Sequence, residues 1–123
     1  MNLHYLTFTY AVRPKIDENT ATDFNISVIV DRPLVIECPA FGNPQPTIVW
    51  YKDGVEIVTD YNPGIRILSG GRRLEIASAD TSDAGRYACV AKNPAGVADR
   101  EYILNVWSKL QEYQQNCQFV YLI

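Results

Sequence analysis

From residue 24 to residue 106 the chain alternates apolar and polar positions in short runs, and no run keeps the 3.6-residue period of a helix. Phe24 to Val30 places Phe24, Ile26 and Val28 on one side of an extended strand, and Asp31-Arg32-Pro33 turns the chain into the next. Leu34 to Ala40 alternates Leu34, Ile36 and Cys38 inward. Two prolines stiffen the loop Gly42-Asn43-Pro44-Gln45-Pro46, after which Thr47 to Lys52 carries Ile48 and Trp50 on a shared face. Asp53-Gly54 is tight-turn chemistry leading into Val55 to Val58.

The second half repeats the theme. Ile65 to Leu68 ends at a Gly70-Gly71 turn, and Arg72 to Ala77 points Leu74 and Ile76 inward. Gly85 to Lys92 and Val97 to Val106 are joined by Asn93-Pro94-Ala95-Gly96, where Asn93 and Gly96 are the residues best suited to φ > 0. Short strands at this spacing, with turn residues between them, predict an all-β sandwich. The flanks read differently. Residues 1–15 alternate like a strand over Tyr5 to Tyr10 and continue as the linker-like Val12-Arg13-Pro14, an extension that reads as the remnant of a preceding domain or as upstream sequence. Residues 108–123 begin polar and end on the apolar Phe119-Val120-Tyr121-Leu122-Ile123, so the expected division is extension, domain over 16–107, and tail.

Four residues specify the sandwich further. Trp50 follows Cys38 by twelve residues, Cys89 follows Trp50 by thirty-nine, and Tyr87 precedes Cys89 by two. That spacing resembles the immunoglobulin superfamily. The resemblance implies a Greek-key β-sandwich of two antiparallel sheets, a disulfide from Cys38 on strand B to Cys89 on strand F, Trp50 packed on that bond, and Tyr87 holding the E–F corner. Such a bond closes a loop of about fifty residues and adds roughly 4 kcal/mol in the chain-entropy description.

Longer motifs narrow this to the I-set. Gly42-x-Pro44-x-Pro46-x-Ile48-x-Trp50-x-Lys52-Asp53-Gly54 resembles the I-set B–C–C′ stretch, and Leu74-x-Ile76 with Asp83-x-Gly85-x-Tyr87-x-Cys89-x-Ala91-x-Asn93-x-x-Gly96 resembles its E–F–G half. With Pro14-Lys15-Ile16-Asp17 ahead of them, the wording is most similar to the tandem domains of hemicentins, with perlecan, peroxidasin and axonal adhesion receptors as near relatives. The same resemblance implies that Asp83 pairs with Arg66 to brace the base of the sandwich. Gly85 has a backbone reason, the tight turn before strand F.

Composition removes other functions. Eleven Lys and Arg against fourteen Asp and Glu give a net charge of −3, and Arg72-Arg73 is the longest basic run, which disfavours nucleic acid. No stretch approaches the ~20 apolar residues of a membrane helix, so membrane insertion is not expected. Catalysis would need a base in a shared pocket, and the one histidine, His4, stands far from the sandwich in sequence. Metal-ligand spacings such as Cys-x-x-Cys are missing, and no calcium loop surrounds Asp80 and Asp83. No catalytic, cofactor or metal residue is therefore expected.

Three cysteines in a small β-rich chain suggest one bridge and a leftover thiol, Cys117. A bridge calls for an oxidising compartment. Asn25-Ile26-Ser27 is a glycosylation triplet. The family resemblance then implies a protein-binding and spacer module of an extracellular adhesion or matrix protein, docking neighbouring immunoglobulin domains or partner proteins. Contacts are expected at the B–C loop, Asn43 and Gln45, and at the F–G hairpin, Asn93 and Gly96; Tyr51, Tyr61 and Tyr102 are candidate surface phenols. The alternatives are an intracellular structural domain like those of titin or muscle kinases, with Cys38 and Cys89 reduced, or a piece of the ectodomain of an axonal adhesion receptor.

Overall fold

Period-two alternation becomes strand at nearly every place the pattern marks it. The computed structural model describes residues 10–17 and 24–110. Ten strands run in order: β1 (Val12–Ile16), β2 (Asn25–Ile29), β3 (Leu34–Glu37), β4 (Ala40–Asn43), β5 (Thr47–Lys52), β6 (Val55–Glu56), β7 (Ile65–Leu68), β8 (Arg73–Ile76), β9 (Gly85–Asn93) and β10 (Gly96–Trp107). One layer is a five-stranded sheet in the order β2-β10-β9-β5-β6. Facing it are a three-stranded sheet, β3-β8-β7, and a two-stranded one, β1-β4.

The single strand expected over 34–40 is thus divided. Pro39 has no N–H to continue a ladder, and the chain kinks there. The Cys38 N–H turns to Arg72 O at 2.8 Å, while Pro39 O accepts from Asp17 N at 3.0 Å. The strand consequently serves β8 with its first half and β1 with its second.

Within the sandwich β2 runs parallel to β10 from Asn25↔Ile103 to Ile29↔Trp107, while the other strand pairs are antiparallel. Val12-Arg13-Pro14-Lys15-Ile16 is β1, which pairs with β4, and the expected boundary between residues 15 and 16 falls inside it. Two basic residues and a proline hid this strand; Pro14 is tolerated because β1 is an edge and the ring is buried. The remainder of the extension, residues 1–9 with His4, and the tail from 111 with Cys117 lie outside the described residues.

Between the layers Cys38 and Cys89 are bonded across a separation of 51 residues. Trp50 stands opposite Cys89 in the β5–β9 register and stacks against Tyr102, with ring centroids 6.0 Å apart. Its Nε1–H donates to Gly71 O at 2.6 Å, satisfying the indole's one polar atom in the core. That contact needs glycine. Gly71 has φ +92°, and a Cβ there would sit 2.7 Å from the Ile48 Cβ. Ile36, Leu74, Ile76, Tyr87 and Leu104 belong to the same buried cluster.

Leu74 has no exposed surface and is packed from both layers. Leu74→Ala should therefore lower the unfolding free energy by about 2–5 kcal/mol, read as a shift in urea midpoint at unchanged m-value.

Candidate interaction surface

The two ends of the sandwich carry the loops that would meet a neighbour or partner, and each is held by side chains with identifiable tasks. At the base, Tyr87 projects from β9 and its OH donates to Asp83 O at 2.6 Å, the corner the spacing to Cys89 implied. The turn Thr81–Asp83 is closed by a reciprocal cap. Asp80 N–H donates to Asp83 Oδ2 at 2.8 Å, and Ser82 N–H donates to Asp80 Oδ2 at 3.2 Å. Ser82 Oγ and the Lys52 ammonium add further bonds to this turn. Asp53, in the β5–β6 turn with φ +50°, accepts the Arg86 N–H at 3.0 Å. A Cβ on Gly85 would lie 2.8 Å from that carboxylate, so close approach is what requires glycine here.

The expected Arg66–Asp83 pair does not form. Asp83 spends its carboxylate on its own turn, while Arg66 is exposed on β7 opposite Glu75 and contributes nothing to the core. Arg73 is the residue that reaches Glu75, at 3.2 Å.

At the opposite end Asn93 overturns an expectation. It is 8% exposed rather than available for contact. Its Nδ2 donates to Val12 O at 2.8 Å and to Pro44 O at 2.9 Å, and its Oδ1 accepts the Ala95 N–H at 2.8 Å. One amide side chain thus joins β1, the B–C loop and the F–G turn, and no positive φ at Asn93 is involved. The Asn43–Pro44 peptide is cis, and Asn43 donates to Tyr10 O at 2.8 Å. Gly96 lies under Arg13, whose Cβ would be 3.3 Å from a Cβ added there. Of the four residues expected to meet a partner, Gln45 alone is exposed; Asn43 and Asn93 meet Val12 of β1, and Gly96 lies against Arg13.

The remaining candidates divide. Asn25 and Ser27 are both exposed on β2, the outer strand of the five-stranded sheet. Tyr61 is 84% exposed and Tyr51 half-buried, whereas Tyr102 is a core residue whose OH donates to Glu37 O. Alternation along β10 already put Tyr102 on the face of Leu104. The same parity turns Arg100 inward, a position no motif marked. Among the described residues, no group of three or more His, Cys, Asp or Glu side chains is arranged to hold a metal ion.

The family model of the immunoglobulin I-set domain matches residues 15–106. Human hemicentin-1 is 44% identical over 95 residues, covering 77% of this chain and 2% of that protein. Mouse roundabout homolog 1 is 41% identical over 91 residues, 74% of this chain and 5% of that protein. The chain therefore spans a small fraction of the length of these relatives. Among solved structures, Sidekick-1 immunoglobulin domains 1–4 match with a TM-score of 0.71 at 29% identity, covering 78% of this chain and 24% of that one. Titin domain M7 matches with a TM-score of 0.66 at 31% identity, covering 80% of this chain and 98% of that one.

Asn93→Ala should cost about 2–4 kcal/mol, since it leaves buried backbone groups unpaired, while Gln45→Ala should stay within about 0.5 kcal/mol; thermal melts of the two compare them directly. Burial, reinforced by the Asp83 and Asp53 carboxylates, pushes the Tyr87 phenol well above its ordinary value of 10.0. Burial also raises Tyr102. The folded state favours the neutral phenols, so their stabilisation is intact below pH 10 and lost as pH climbs beyond it. Melting temperature should fall above pH 10. The acid limb has the opposite sign. Hydrogen bonds from Ser82 hold Asp80 below its ordinary 3.8, so its contribution is present above that value and disappears as pH falls through the lowered one. Asp80→Asn should flatten that limb.

Proposed function

The chain belongs to the immunoglobulin I-set family, and on that footing we propose that it works as a non-enzymatic protein-binding and spacer module of a hemicentin-like adhesion or matrix protein. The observation that carries this reading is the disulfide between Cys38 and Cys89, which ties the two layers covalently and suits an oxidising compartment. A module tied in this way acts by rigid presentation. Side chains at both ends hold the loops in place, so neighbouring domains or partner proteins dock on surfaces that need little ordering on contact. The exposure of Asn25 and Ser27 supports the triplet as a glycan acceptor, and a glycan there would also shield the outer edge of β2.

The similarity to titin domain M7 favours a second reading, a load-bearing intracellular domain with the two core thiols reduced.

Intact mass spectrometry of protein from its native source, alkylated without reduction, separates the two. One alkylated cysteine, Cys117, together with a glycan on Asn25 is the expected result. Three alkylated cysteines and no glycan would sink the extracellular reading.

A further inference from the structure

Half of one edge of the five-stranded sheet is left open. β2 covers β10 only from Ile103 to Trp107, and β1 pairs with β4 in the other layer. Among the described residues, nothing pairs with the outer side of β10 between Val97 and Glu101. The backbone there is aimed outward. Ile103 N–H points to that side, donating to Phe24 O at 2.7 Å, and the register of β10 on β9 runs unbroken from Gly96 to Leu104. By alternation, the N–H and C=O groups of Asp99 and Glu101 face the same way.

They face a cleft of about 890 Å³ between β1 and β10. Ile16 lines it, and Phe24 and Phe41, 58% and 48% exposed, stand among its walls. Arg100 also lines it, turned inward and only 8% exposed. Its Nη2 donates to Asp17 O at 3.0 Å, and its guanidinium carbon lies 5.5 Å from the centre of the Phe24 ring. Nη1 is buried and has no hydrogen-bond acceptor among the described residues. The Asp17 carbonyl, the Phe24 ring face and the nearby Tyr102 hydroxyl surround this buried cation but leave Nη1 without an acceptor, and a planar fork of donors is best completed by a carboxylate.

From this combination we propose that the cleft takes an extended, carboxylate-bearing segment of a partner protein, which adds as a strand along Val97–Glu101 and brings its acid to Arg100. Open backbone groups at strand spacing select polypeptide over a free anion. The lining is mixed, with Lys15, Asp17, Asp99 and Glu101 also on the cleft, and its apolar part, Ile16, Phe24 and Phe41, selects aliphatic residues two positions either side of the acid, since those share its face. The inference rests on the protein-binding reading above and gives it a partner chemistry.

The test uses two capped heptapeptides of threonine, with valine at positions two and six and either glutamate or glutamine at position four. Each is titrated into the full-length ¹⁵N-labelled protein. The glutamate peptide should shift the amides of Asp99, Glu101 and Arg100, and the glutamine peptide should bind roughly tenfold more weakly, the loss of one charge-assisted hydrogen bond. Glu101→Pro removes one outward N–H from an exposed edge position, where proline is tolerated, and should abolish binding of both. Equal binding of the two peptides, or unchanged binding in the Glu101→Pro protein, overturns the proposal. So does the absence of shifts along β10. A loss of stability in Glu18→Gln/Asp23→Asn would then assign the missing carboxylate to the chain itself. Shifts on another face would overturn the cleft while leaving the protein-binding reading standing.

Discussion

Two sheets stacked about 10 Å apart stay in register only if something fixes one against the other. Here that is the contact of Trp50 with the Cys38–Cys89 bond. The disulfide crosses the core, the indole lies beside it in the β5–β9 register, and Nε1 reaches the opposite layer at Gly71. Each part constrains the next. Gly71 must be glycine because Ile48 occupies the space of its Cβ, and Tyr102 finds its place by stacking on the indole. Strand B must kink after Cys38, since Pro39 ends one ladder and begins another. The kink is also what sends β1 along the rim of the sandwich.

Beyond the core, single polar side chains replace what longer loops would otherwise need. Asn93 joins three segments through three hydrogen bonds, and the Asp80–Asp83 cap closes the turn before β9. A buried amide such as that of Asn93 is costly unless every bond is made, so that end has little freedom to rearrange. The same economy explains why residues that look available for binding in the sequence are not. Asn43, Asn93 and Gly96 are occupied holding β1 in place, and the accessible surface moves elsewhere, to Gln45 and to the cleft beside β10.

That cleft follows from topology. With β1 paired in one layer and β2 in the other, neither covers the whole edge of β10, so among the described residues part of the edge stays open. Arg100 fits both the defence and the use of such an edge. An inward charge discourages indiscriminate strand pairing, and it admits a segment that brings the matching acid.

Local rules were enough to read most of the architecture. Strand positions follow from alternation. The bond partners Cys38 and Cys89, with Trp50 and Tyr87, are marked by offsets along the chain, and the Asp53-Gly54 turn by its residue types, because each of these signals lies within a short window or a fixed spacing. Pairing between distant segments was not legible in that way. Whether Arg66 or a turn amide takes the carboxylate of Asp83, whether Asn93 faces solvent or Val12, and whether Val12–Ile16 is linker or strand all depend on which backbone groups arrive unpaired from elsewhere. A hydrogen bond needs two partners within about 3 Å, and one sequence states only one of them at a time. The tertiary structure decided those choices, and with them which surface remains for a partner.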